Sequence, residues 1–307
     1  MASIRKSNDI RSRLAALDGT PLARKIALQG MESVARELSK QAGRAKTQQV
    51  ESAKITKRIF APVLKTIAGD ESARGAMMDI QRRAHIEARG LNKPARAPRF
   101  PEMSPQIRSG SILRIYVPPY NYPYTWTSSF GASAAAWTNV GEFLAWSKPY
   151  TASVGPYSGS AAAGVGIYFR PVSRNSYVRF SPAIRYTYSW RDSSQGGFTA
   201  HSSGSLAIRV VSYDLNGGGM QIEQDPRYPI WNDGTGWWDT HGDTNQDWGY
   251  FANQQVYFHA TSDRQYVIWV WGYTSADDHG DDAFGSGSWS YGWVEPIVVL
   301  AVTEEWT

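Results

Sequence analysis

Within the stretch WNDGTGWWDTHGDTNQDWGYF, Trp231 to Phe251, the run DTNQD sets Asp243, Asn245 and Asp247 at alternate positions. Oxygen-bearing side chains at that spacing in a tight loop can surround a Ca2+ ion. The run departs from the EF-hand pattern in two ways. Its glycine, Gly249, comes one position late, and Gln254 stands where that pattern has a bidentate glutamate. A second acidic cluster, ADDHGDD, brings Asp277, Asp278, Asp281 and Asp282 and would complete an oxygen cage if the two loops meet. The competing expectation is a pair of solvated hairpin loops, in which Asp and Asn supply turn geometry.

Aromatic residues offer a different chemistry. Trp231, Trp237, Trp238 and Trp248 lie in the same polar stretch, and PPYNYPYTW adds Tyr120, Tyr122 and Trp126 between stiffening prolines. Exposed rings of this kind can stack on sugar rings while their N–H and O–H groups bind the rim. The same residues can instead anchor a long loop onto a sheet as a lid, which is the expectation for the Trp231 stretch.

Signals of catalysis are missing. The chain has no G-x-S-x-G elbow, Walker loop, H-E-x-x-H or strand-to-helix G-x-G-x-x-G. NGGGM, Asn216 to Met220, lies between strand patterns and reads as a hairpin turn. The histidines (His85, His201, His241, His259 and His279) stand apart in sequence, and the chain has no cysteine, so thiolate metal sites and thiol nucleophiles are excluded. The expectation is a protein that is not an enzyme and needs no cofactor, with Ca2+ as the alternative.

Composition divides the elements that must hold these residues. All 13 Trp and 17 Tyr lie at or after Tyr116. Residues 1–110 carry 22 Lys and Arg against 10 Asp and Glu, or +12, and the remainder carries 10 against 17, or −7. Such segments are not expected to share one core, and the asymmetry favours a polyanionic partner or contact between unlike ends of two copies.

Residues 1–90 read as helical. Asn8 caps a first short pattern ended by Gly19, and Thr20-Pro21 starts a second that carries Ile26, Met31, Val34 and Leu38. Ile55, Ile59, Val63 and Ile67 then recur every four residues, with a kink or restart expected at Pro62, and Asp70-Glu71 opens a last helix. Lys54, Lys57, Arg58 and Lys65 flank that stripe and could meet nucleic acid or an anionic membrane surface. Docking on the protein itself or on neighbouring copies is the preferred expectation, and the length of the linker favours neighbours.

Residues 91–109, NKPARAPRFPEMSP and its flanks, form a proline-rich basic linker. From 110 to 307 the hydrophobic period changes to two, in runs such as AIRYTYSW and QYVIWVWGY. VIWVWG is apolar on both faces and therefore a central strand. The expected class is α+β by segregated segments, with a helical region followed by an antiparallel β-sandwich of jelly-roll type.

The function expected from these features is non-catalytic, with helices for assembly or docking and a sandwich head for recognition. A glycan-binding module, with or without calcium, is the alternative, and a shell protein holding nucleic acid is a third. The expected partners are copies of itself or a larger particle. No signal-type apolar run opens the sequence and no stretch of about 18 apolar residues occurs. Cytoplasmic synthesis is expected, with exit from the cell by lysis or specialised secretion.

Overall fold

The computed structural model describes residues 21–72, 111–128, 132–147, 157–193, 200–235, 240–251, 254–278 and 289–306. The short helix expected before Gly19, the last helix beyond Ser72 and the linker 91–109 lie outside the described residues. Helix α1 runs Pro21–Gly69. It opens where Thr20-Pro21 predicts, because proline's fixed φ and missing N–H cost nothing at the first helical position. The restart expected at Pro62 does not occur, and Pro62 lies inside one continuous helix. A proline removes a single i→i−4 bond, and the turns on either side keep theirs. At about 1.5 Å per residue, α1 is about 70 Å long.

Thirteen strands follow among the described residues: β1 Ser111–Tyr116, β2 Tyr122–Thr127, β3 Ala132–Trp137, β4 Glu142–Ser147, β5 Tyr157–Phe169, β6 Asn175–Ser193, β7 Ala200–Asp214, β8 Gln221–Gln224, β9 Arg227–Gly234, β10 Thr240–Phe251, β11 Val256–Thr261, β12 Arg264–Asp278 and β13 Trp289–Trp306. They form two antiparallel sheets. Sheet A has the order β10-β6-β13-β4-β3, with β1 on β13 and β11 on β6. Sheet B has the order β2-β5-β12-β7-β8, with β9 also on β7. The two stack as a sandwich. NGGGM closes the β7–β8 hairpin, where Gly217 and Gly219 take positive φ of 81° and 56° that side chains disfavour.

Alternation sends one face of each sheet inward. Phe143, Ile167, Phe169, Val178, Phe180, Ile208, Ile268, Val270, Leu300 and Val302 meet there as a buried core. Glu304 is fully buried at the edge of this core. It accepts hydrogen bonds from Arg114 Nη2 at 3.0 Å, Ser176 Oγ at 2.7 Å, and the backbone N–H groups of Val172 at 2.7 Å and Ser173 at 3.2 Å. That set pins the β5–β6 turn to β13.

A second core lies outside the sandwich. Ala27, Met31, Val34 and Leu38 of α1 pack on the outer face of sheet B against Tyr122, Tyr124, Val211, Tyr213, Val267, Trp269 and Trp271. This corrects two expectations. The basic, aromatic-poor segment shares a core with the aromatic-rich one, and the cover for Met31, Val34 and Leu38 comes from the chain's own sheet. The reason is reciprocal. β12 is apolar on both faces, so its outer face also had to be covered, and α1 carries an apolar stripe that fits.

Candidate functional site

Two polar arrangements stand out, one on each side of sheet B. The inner one explains Trp231. Its ring is 7% exposed and stacks on Tyr188 at 5.7 Å and 9°. A Cβ on Gly204 would fall inside that ring, so only glycine fits opposite it. Trp231 Nε1 donates to Ser202 Oγ at 3.2 Å, and Ser202 Oγ donates to Asp192 Oδ2 at 3.0 Å. Asp192 is fully buried, and its Oδ1 has no partner. Burial pushes the Asp192 carboxyl up to about 8; the Ser202 hydroxyl opposes this, and the Asp233 and Asp277 charges add to it. The relay is a sealed structural unit at one end of the sandwich.

The outer arrangement is larger. Strand register sets Tyr122, Gly166, Trp269 and Arg209 in one row across sheet B, and Tyr124, Gly164, Trp271 and Ala207 in the next row on the same face. The glycines let the tryptophan rings lie against β5. A Cβ on Gly166 would come within 2.7 Å of the Trp269 ring, and one on Gly164 within 2.5 Å of Trp271 Cβ. Tyr122 and Tyr124 meet Trp269 at 6.0 Å and 6.2 Å between ring centroids. Arg227 lies 5.3 Å over the Trp271 ring. These rings make a continuous aromatic floor.

A hydrogen bond and an ion pair hold α1 over it. Arg209, 2% exposed, donates to Asp225 Oδ2 at 3.1 Å and to Ser33 Oγ at 2.7 Å. Burial draws Arg209 down and Asp225 up, each toward its neutral form, and each partner's charge opposes the shift of the other. Arg227 pairs with Glu37 at 3.1 Å, nearer the surface. Past Leu38 every described side chain of α1 is exposed. The floor continues in the next row of the same face, Trp126, Ala162, Tyr273 and Ser205, where Ala162 is fully buried and Trp126 and Tyr273 are half-buried against the same core. Next to it lie hydroxyl pairs: Tyr273 donates to Ser160 Oγ at 3.1 Å, and the Ser203 and Ser275 hydroxyls are 2.8 Å apart.

The residues expected to act fall in different places. Tyr120 is buried in the inner core and Tyr122 is 1% exposed under α1, so with Trp231 they offer no free ring; Trp126 is half-buried at the edge of the outer floor. Trp237 and Trp238 lie outside the described residues. Trp248 is on β10 opposite Thr187, and its side chain is outside the described ones.

Asp243, Asn245 and Asp247 lie on strand β10 rather than in a hairpin loop. Asp243 pairs with Trp190 and Asp247 with Tyr188, so the residues between them bulge from the ladder. Their side chains are outside the described ones. Among the described residues no group of three His, Asp or Glu side chains could hold a metal ion.

Ile55 and Ile59 on α1 are 59% and 58% exposed, with Lys54 and Arg58 exposed beside them. The side chains of Lys57, Val63, Lys65 and Ile67 are outside the described ones. No described helix is long and apolar enough to cross a membrane.

No family model matches this chain, and no curated protein matches either. Among solved structures, a family 61 carbohydrate-binding module in complex with β-1,4-galactotriose is 11% identical, over 58% of this chain and 86% of that one, with a TM-score of 0.19. The enzymatically active domain of bacteriophage CBA120 tailspike protein 4 is 10% identical, over 62% of this chain and 19% of that one, with a TM-score of 0.20. A mutant family 29 carbohydrate-binding module is 10% identical, over 64% and 87%, with a TM-score of 0.18. Scores this low do not establish a common fold.

Sequence reading missed the outer floor. The signal was present in QYVIWVWGY, where Trp269, Trp271 and Tyr273 alternate with Ile268 and Val270. Two apolar faces require two covers, and one of them had to come from outside the sandwich.

Proposed function

We propose that this is a non-catalytic recognition protein, a β-sandwich head mounted on α1, through which it attaches to copies of itself or to a larger particle. The observation that carries this reading is the division of α1. Ala27–Leu38 is seated on the head, while Ile55 and Ile59, one helical turn apart, stay exposed on the part beyond it. Paired isoleucines flanked by Lys54 and Arg58 suit a contact with another apolar helix face, whose rim supplies acidic groups.

Sedimentation of the full chain at micromolar concentration tests it. A defined oligomer that dissociates in the Ile55→Asp/Ile59→Asp variant supports the reading, and a monomeric wild type defeats it. An assembly whose ultraviolet absorbance is dominated by nucleic acid would instead favour a shell, with Lys54 and Arg58 on phosphates. Glycan recognition by the head is a second reading. It is supported by the aromatic and hydroxyl-bearing outer face of sheet B, on which Trp126 and Tyr273 stay half-buried.

A further inference from the structure

Apart from Ser33 and Glu37, the contact between α1 and sheet B is apolar on the helix side and only partly so on the sheet side. Trp269 Nε1, Trp271 Nε1, Tyr124 OH and Arg209 Nε are buried there without a hydrogen-bond partner. Their residues are between 0% and 6% exposed. A buried donor left unpaired costs about 1–3 kcal/mol, and native cores contain few of them. Here they share one face, above the strand on which glycines let the rings lie flat. Ala27, Met31, Val34 and Leu38 bring no side-chain oxygen or nitrogen to meet them.

We propose that this face is a binding site for a neutral oligosaccharide and that the seated part of α1 is its displaceable cover. The chemistry fits on three counts. Flat rings take the apolar faces of sugars, and indole and guanidinium N–H groups donate to hydroxyl and ring oxygens. The rows from Tyr122–Trp269 to Trp126–Tyr273 span about 14 Å at about 3.4 Å per residue, long enough for a short chain of sugars. Ser203 and Ser275, half-buried, carry hydroxyls on the same face beside the exposed Asn232, so hydrogen-bonding groups continue along it past the rings. A nucleic-acid strand would also stack, but the charge of −7 on residues 111–307 opposes a polyanion.

The cover reduces apparent affinity by the fraction of molecules in which it is open. This proposal rests on the glycan reading of the head and does not depend on assembly through Ile55 and Ile59. The test uses the full chain and a panel of neutral β-linked gluco-, galacto-, manno- and xylo-oligosaccharides, followed by calorimetry and tryptophan fluorescence. Met31→Glu/Val34→Glu, which drives charges into the helix–sheet contact, should bind at least one panel member about tenfold or more tightly than wild type. Adding Trp271→Ala should abolish that binding.

Glu37→Arg, a surface change that sets like charges against Arg227, should move affinity in the same direction if the double variant fails to fold. In the wild type, the bound sugar should speed amide exchange in Ala27–Leu38. Absence of binding by folded, undocked variants overturns the site. Binding with unchanged exchange in Ala27–Leu38 overturns the cover while leaving the glycan reading standing. Binding of oligothymidylate with no response to any sugar overturns the ligand class.

Discussion

The inner and outer cores of this protein are built from similar residues and solve different problems. Between the sheets, polar atoms on aromatic rings are matched. Tyr266 OH accepts from Thr261 N–H at 2.8 Å, and Trp231 Nε1 donates to Ser202. No side chain of the inner cluster has an unpartnered buried polar atom among the described residues. Under α1, Trp269, Trp271 and Tyr124, of similar burial, leave theirs unmatched. Burial of apolar area drives both contacts. The inner one pairs the polar atoms of its aromatic cluster and leaves only Asp192 Oδ1 unmatched at its end, so the two should differ in how readily they open.

The largest expected effect lies in the inner core. Phe180→Ala removes a fully buried ring between the sheets and should cost about 3–5 kcal/mol in urea unfolding. A loss under about 1 kcal/mol would mean that the sheets do not depend on their interface.

Asp192 comes next. Its folded pKa, about 8, is raised above the unfolded value near 3.8. The native state therefore binds the proton more tightly. Stability is greatest below about pH 4, falls as pH rises through about 8, and levels off above it. The fall should be on the order of a few kcal/mol. Asp192→Asn keeps an acceptor for Ser202 and removes the charge, so thermal melts across that window should lose this slope. An unchanged slope would place the titration elsewhere.

The smallest effects come from a matched pair that reads the comparison directly. Tyr266→Phe strands the Thr261 N–H and should cost about 1–3 kcal/mol. Tyr124→Phe removes an unpartnered hydroxyl and should be neutral or slightly stabilising, although both rings are buried. Equal losses would erase the distinction between the two cores.

Much of the fold was legible because period and punctuation act locally. Pro21 marks the start of α1, and the run VIWVWG lies in β12, a central strand between β5 and β7. AIRYTYSW and the alternating run YVRF that precedes it join into one strand, β6, because Ser181-Pro182 between them does not interrupt its pairing with β13. Strands β3 and β4 were not read: ASAAAW carries little β-branched signal, and pairing rather than propensity makes it a strand.

The site was less legible. Which rings lie under a helix and which under the opposite sheet depends on register, and alternation alone does not say what covers each face. Trp231 and Tyr122 were grouped as candidate platforms from local composition, yet one stacks on Tyr188 inside the sandwich and the other lies under α1. Arg209 gave no sequence signal at all, because its burial depends on Ser33, distant in the chain.

Native-state hydrogen exchange on the full chain tests the central distinction most directly. Amides of Ala27–Leu38 should exchange through an opening well below the global unfolding free energy, while those of Ile268–Val270 in β12 should exchange only at the global value. Exchange of both segments with the same free energy and the same dependence on urea would show that α1 is as permanent a part of the fold as the sheets, and would contradict the account.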